Sequence, residues 1–295
     1  MHKDNHEIVG AEPTLIELSH RVRGHIKLDW QHKIFDSAVE SFNHEESPLR
    51  LKNFASALNE LARVSQEQLA PKEKIRACEW FEQSTDPREE DGVTREQRVK
   101  YAVQGELHDD FVLEELHVNV RSTVKECLVL IDELNKYGHS MEQSLDIPES
   151  TEAMEATSAL GTFDRLSELI QERHDSLLSR AADAAKGYTS LDCVLYGEAD
   201  EQLDRLSMHV SDGDVVLDSL AILSLNTERI LYQGRGRVYA RSRDSDVALD
   251  KGEAIHDVYP FKCNFESDTG DPRDTTFVQG SMKIDSDSFP DDGQG

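Results

Sequence analysis

Near Gly187 the hydrophobic pattern of this 295-residue chain changes its period. Upstream, apolar residues recur every three or four positions, the repeat that builds one face of an α-helix. Downstream they fall into short β-branched and aromatic runs between Gly-, Asp- and Ser-rich breaks, the pattern of antiparallel strands. A chain patterned this way is expected to fold as α+β, with an N-terminal antiparallel helical bundle followed by a C-terminal antiparallel β-rich domain.

Ile26, Trp30, Ile34, Phe35, Ala38, Val39 and Phe42 predict a helix over 26–42, and Leu51, Phe54, Leu58, Leu61 and Val64 predict a second that ends at Pro71. Thr94, with Gln97 three residues on, makes a capping box for a helix over 94–104 that Gly105 stops. Asp109 or Asp110 would cap a short helix to Leu116. The clearest seam is Val120, Val124, Cys127, Leu128, Ile131 and Leu134, with Gly138 placed to close that helix in a left-handed conformation. Apolar positions from Met154 to Leu178 fit one long helix or two shorter ones, fading near Lys186. Segments 192–196, 229–243, 256–265 and 276–284 predict strands, while 200–225 follows neither period. The expected organisation is an extension over 1–25, a bundle over 26–186, a β-rich domain over 190–288 and a disordered tail over 289–295.

Charge narrows the function. Lys and Arg number 32 against 59 Asp and Glu, a formal net charge of −27, which excludes a generally basic protein that coats phosphate. Any nucleic-acid contact must therefore be local. The longest unbroken apolar run is Cys127 to Ile131, and no basic stretch followed by an apolar one opens the chain, so no membrane is expected and the reading is cytoplasmic. Cys78, Cys127, Cys193 and Cys263 form no CxxC pair, which argues for reduced thiols rather than a zinc finger or a disulfide scaffold.

Three helical segments carry a family likeness: Arg50-Leu-Lys-Asn-Phe-Ala-Ser-Ala-Leu-Asn-Glu-Leu, Val93-Thr-Arg-Glu-Gln-Arg-Val-Lys-Tyr-Ala-Val-Gln-Gly105 and Leu134-Asn-Lys-Tyr-Gly-His139. Over about residues 30–180 the chain resembles the predicted pPIWI-associating nucleases, and Arg241-Ser-Arg-Asp-Ser-Asp246 with Tyr259-Pro-Phe261 resembles a β region of the same proteins. The resemblance implies a prokaryotic antiviral-defence setting beside a PIWI/Argonaute-like module, and a nuclease or nucleic-acid-binding role. It carries across no catalytic set. A fainter similarity is to HEPN helical domains, whose Arg-x4–6-His motif is absent at every histidine here.

Two candidate sites stand out. Asn135, Lys136, Tyr137 and His139 gather at the exit of the clearest helix, where His139 could act as acid or base and Lys136 could hold a phosphate. The bland alternative is a cation and a histidine complementing a helix C-terminus. In the acid-free stretch 230–243, alternation places Arg235, Arg237, Tyr239, Arg241 and Arg243 on one face and Gly236, Val238, Ala240 and Ser242 on the other. Such a face could follow a phosphate backbone while Tyr239 stacks on a base. Its alternative is a strand whose arginines pair with the protein's own carboxylates, for which residues 244–295 offer 13 acids.

No metal ligands are assigned. Asp244, Asp246 and Asp250 lack the glycine and glutamate of an EF-hand loop, and Glu253 and His256 are the nearest additions to them. A cofactor is expected only for a nuclease, as Mg²⁺ or Mn²⁺. P-loop, Rossmann, HExxH and GxSxG signatures are missing. The expectation is a defence-associated nuclease or nucleic-acid-binding component, with a defence-system partner protein. The alternative is a non-catalytic interaction scaffold or recognition module in the same setting.

Overall fold

The computed structural model describes residues 14–44, 46–87, 89, 92–139, 148–189, 193–204, 208–210, 214–242 and 256–285. Its elements in chain order are α1 (Leu15–His25), α2 (Asp29–Phe42), α3 (Arg50–Leu69), α4 (Lys72–Ala77), α5 (Arg95–Gln104), a π-helical turn (Phe111–Glu115), α6 (Val120–His139), α7 (Glu149–Tyr188) and α8 (Cys193–Asp204). Then follow β1 (Met208–His209), β2 (Val215–Leu225), β3 (Arg229–Ser242), β4 (His256–Asp268), β5 (Thr276–Phe277) and β6 (Lys283–Ile284). The fold is α+β, as the change of period requires. Two compact units form. One comprises Met1–Ile75, Gln83–Val103 and Val120–Arg173, and the other Arg76–Glu82, Gln104–Asn119 and His174–Gly295.

The first unit is a set of amphipathic helices around one apolar cluster that includes Leu18, Val22, Phe35, Phe54, Leu58, Leu61, Leu134, Leu160 and Phe163. α1 starts on a capping box between Thr14 and Glu17. Burial at this density makes large core side chains costly to lose, about 3–5 kcal/mol for a Phe cut back to Ala. Some interior polar groups are paired: Gln31, 3% exposed, donates to Ser65 Oγ at 3.2 Å and to Gln68 Oε1 at 2.9 Å. Arg50 donates to Glu152 at 2.6 Å and lies over the Phe42 ring, 5.5 Å from its centroid.

Several local expectations hold. Thr94 N–H donates to Gln97 Oε1 at 2.8 Å and Gln97 N–H to Thr94 Oγ1 at 3.1 Å, so the capping box is made. Gly105, with φ of +64°, ends α5. Others are corrected. The helix expected over 26–42 is preceded by a separate one, α1, because Ile26 is extended and buried at the break while Val22 and Leu18 continue its four-residue spacing backward. α6 runs through Gly138 to His139 instead of stopping before it. Asp110 stands at the N-cap of the π-helical turn, but its side chain makes no capping bond. Of the two alternatives for the apolar positions between Met154 and Leu178, the single long helix is the one that forms, 40 residues in all.

In the second unit, the strand expected over 192–196 is helix α8. Leu195, Ala199 and Leu203 are buried at four-residue spacing, so a helical stripe wins over a short alternation. The sheet is antiparallel throughout: β3 is flanked by β1 and β2 on one side and by β4 on the other, and β5 and β6 pair with β4. β2 shifts register between Leu217 and Ser219 and again between Ile222 and Ser224, which explains why 200–225 shows no clean period. Val215, Leu220, Ile230, Tyr232, Val238, Ala240, Tyr259, Phe261, Cys263 and Phe265 are buried on its inner side. Two glycines let the strands close up there. A β-carbon on Gly236 would stand 2.1 Å from the Val216 carbonyl oxygen and 2.6 Å from the Phe261 ring, and one on Gly234 would stand 2.8 Å from both Leu217 and Phe265.

Candidate nucleic-acid interface

The pleat of β3 divides its residues as alternation requires. Gly236, Val238 and Ala240 are buried, whereas Arg235 and Arg237 are exposed and Tyr239 is half-buried. Antiparallel pairing adds neighbours on the same face, since residues directly opposite one another project to the same side. Arg235 pairs with Ser219 on β2 and with Lys262 on β4, and Lys262 pairs with Lys283 on β6. Three cations thus form a row perpendicular to the strands, about 10 Å across at about 4.8 Å per strand. Both lysines are exposed, and neither has an ion-pair partner among the described residues. Like charges directly opposite one another repel, so the row carries an electrostatic cost that an anion would relieve.

Beside the row the face turns apolar. Val216 and Pro260 pair with Arg237, and Val258 pairs with Tyr239. Val216 and Val258 are 37% and 39% exposed, so apolar surface adjoins the ring and the charge cluster. Phosphate-binding cations next to an aromatic and apolar platform are the two ingredients of single-strand recognition.

Arg237 is engaged within the protein. Its Nε and Nη2 donate to the two Asp218 oxygens at 2.9 and 2.8 Å, and its guanidinium carbon lies 6.0 Å from the Tyr239 ring centroid. The hydrogen bonds from Arg237 hold the Asp218 carboxyl below the ordinary carboxylate range and, reciprocally, raise the Arg237 guanidinium. Asp218 sits in the first β2 bulge, opposite no residue of β3. The carboxylate that answers Arg237 therefore comes from β2, not from the acid-rich 244–295. Arg235 makes a weaker contact, donating to Gln233 Oε1 at 3.4 Å.

Arg241 pairs in register with His209 and His256, but its side chain, like the whole of Arg243, lies outside the described residues. Asp244, Asp246, Asp250 and Glu253 lie outside them as well, and so does the His256 side chain. On α6, Lys136 is exposed and Asn135 half-buried one residue apart, and His139 closes the helix with its side chain outside the described residues. Tyr137 packs against the first unit's core. Sequence reasoning missed Lys262 and Lys283 because each is a single lysine in a run with no local charge pattern. Only strand register joins them to Arg235.

Cys78, Cys127 and Cys263 are buried and make no disulfide among the described residues. Burial pushes the Cys127 thiol up to about 11 and the Cys263 thiol to about 12, as expected of core thiols. Among the described residues, no helix is long and apolar enough to cross a membrane.

Two family models match, both described as Predicted pPIWI-associating nuclease, one over residues 23–163 and the other over 192–290. The chain belongs to the predicted pPIWI-associating nucleases. No curated protein and no solved structure matches it. In this predicted pPIWI-associating nuclease the second matched segment contains the entire basic face, and the first contains α6 with Asn135, Lys136 and His139.

Proposed function

We propose that this pPIWI-associating protein binds a single-stranded nucleic acid on the outer face of its sheet, as a cytoplasmic component of a prokaryotic antiviral-defence system with a PIWI-like partner. The observation that carries the reading is the Arg235–Lys262–Lys283 row beside Tyr239, Val216 and Val258. On a chain of net charge −27, three adjacent cations, none of them ion-paired among the described residues, offer a local phosphate site in an otherwise repulsive field. We include Arg241, at the end of β3, and its sequence neighbour Arg243 in the proposed site, with Arg237 available once Asp218 gives it up. For a nuclease activity, which the binding reading does not require, we assign His139 as acid and base, Lys136 as the phosphate-charge stabiliser and Asn135 as a hydrogen-bonding neighbour, with Mg²⁺ or Mn²⁺ as the ion to test.

Binding of single-stranded RNA and DNA to the purified protein, measured across a salt series, tests the proposal. Affinity should fall with salt, and Lys262→Ala with Lys283→Ala should flatten the slope. Salt-independent binding, or no binding with the partner present, would overturn it. A non-catalytic scaffold is the second reading, favoured by the Arg237–Asp218 pair, which commits one arginine to the protein itself. It gains if a partner protein binds while RNA and DNA neither bind nor are cut.

A further inference from the structure

α1 and α7 bring a histidine and two carboxylates together in the first unit. Arg21 and His25 stand four residues apart on α1, and Asp164 and Glu168 stand four apart on α7, so each pair shares one helix face. The two helices are fixed by packing: Leu18 and Val22 lie in one core with Ala156, Ala159, Leu160 and Phe163. At Gly161 a β-carbon would already touch Leu18, at 3.9 Å.

On that frame, His25 Nε2 lies 2.9 Å from Asp164 Oδ1. Arg21 pairs with Asp164 and also donates to Glu168 Oε1 at 2.8 Å. One donor atom each from His25, Asp164 and Glu168 lie within 4.8 Å of one another. The Asp164 side chain is 2% exposed, His25 27% and Glu168 43%, so the cluster has a buried anchor and an open side.

One imidazole nitrogen and two carboxylate oxygens are donors that a zinc-class divalent ion accepts, and three protein ligands leave a fourth position open to water. Donors around a tetrahedral ion with bonds of about 2.1 Å stand about 3.4 Å apart, between the 2.9 Å of the His25–Asp164 contact and the 4.8 Å within which all three donors lie, so the first must open slightly and the longer separations close by about 1.4 Å at most. The half-exposed Glu168 is free to supply that movement. Arg21 now provides the positive charge that the carboxylates need. Being 45% exposed, it can swing out to water, and the incoming cation then answers the buried Asp164 carboxylate that it leaves.

We propose that His25, Asp164 and Glu168 form a binding site for a divalent cation of the zinc class, with Arg21 as its internal competitor. A purely structural ion-pair lock between α1 and α7 would assign Arg21 the opposite role, that of a group whose loss helps nothing. The site is independent of the nucleic-acid reading.

The test is Zn²⁺ titrated into the full-length protein by calorimetry, with Co²⁺ absorption as a reporter of histidine ligation. One site should disappear in His25→Ala and in Asp164→Asn, weaken at least tenfold in Glu168→Gln, and tighten several-fold in Arg21→Gln. Circular dichroism of each variant checks folding, and the exposed Glu168→Gln and Arg21→Gln changes keep the test valid if Asp164→Asn unfolds. Absence of a zinc site, zinc bound only at positions these variants do not affect, or an Arg21→Gln variant that binds no tighter would overturn the proposal.

Discussion

Asp218, carried out of register by a bulge in β2, takes both hydrogen bonds of the Arg237 guanidinium fork, at 2.9 and 2.8 Å. The pair is exposed on both sides, 47% for Arg237 and 42% for Asp218, so it contributes little to stability and much to which cations of the face are available. Asp218→Asn should release Arg237 and raise affinity for single-stranded nucleic acid several-fold at low salt. Fluorescence anisotropy against the wild type reads this directly, and unchanged affinity would remove Arg237 from the interface.

The same pair sets a pH dependence. Arg237 holds the Asp218 carboxyl below its ordinary value, so the ionised, paired form persists from neutral pH down through the range where free carboxylates protonate. Because the folded-state value is the lower one, the small stabilisation is present above the unfolded value and is lost as pH falls through the folded one. An NMR titration should find the Asp218 carboxyl carbon titrating later, on acidification, in the wild type than in an Arg237→Gln variant.

Removing Lys262 and Lys283 together should lower the salt slope of single-strand binding by about 1.4, at about 0.7 for each phosphate no longer neutralised. Thermal stability should stay within about 0.5 kcal/mol, since both side chains are on the surface and their mutual repulsion disappears with them. A large drop in melting temperature would instead mark the lysines as structural.

Gly236→Ala attacks the fold and leaves the charged side chains in place. The new methyl would meet the Val216 carbonyl oxygen and the Phe261 ring, so the strands must part, at a cost of about 1–3 kcal/mol or more. Denaturant unfolding should register it as a lowered midpoint, and binding should weaken with it. Alanine at exposed Ala221 is already tolerated by the same strand pair, which makes Ala221→Ser a suitable control.

Cys127 and Cys263 should resist alkylation at pH 8 in the native protein and react on unfolding, because burial holds both thiols protonated well above that pH. Mass spectrometry of labelled peptides distinguishes them. Rapid native labelling at either position would mean that the core around it opens.

What can be read from sequence follows the range of the interactions. The Thr94–Gln97 box and Gly105 act within a few residues, and both are visible in the sequence itself. The inward and outward faces of β3 follow from the pleat alone. α8 reads as a strand because a five-residue window at 192–196 favours alternation, and only Ala199 and Leu203 farther along complete the helical stripe. The cross-sheet row is hidden because Arg235, Lys262 and Lys283 meet through strand pairing. His25 and Asp164 are hidden for a similar reason, being 139 residues apart until α1 packs on α7.

Gly234 and Gly236 separate two kinds of selection along β3. Inner positions are constrained by volume, with Phe261 and Phe265 occupying the space that any β-carbon would need. The intervening residues Arg235 and Arg237 face outward and answer only to what they touch there. Substitution at the glycines is paid in folding, whereas substitution at the arginines changes the ligand and leaves the sheet intact. A protein built this way can be retargeted, by evolution or by an engineer, one outward residue at a time.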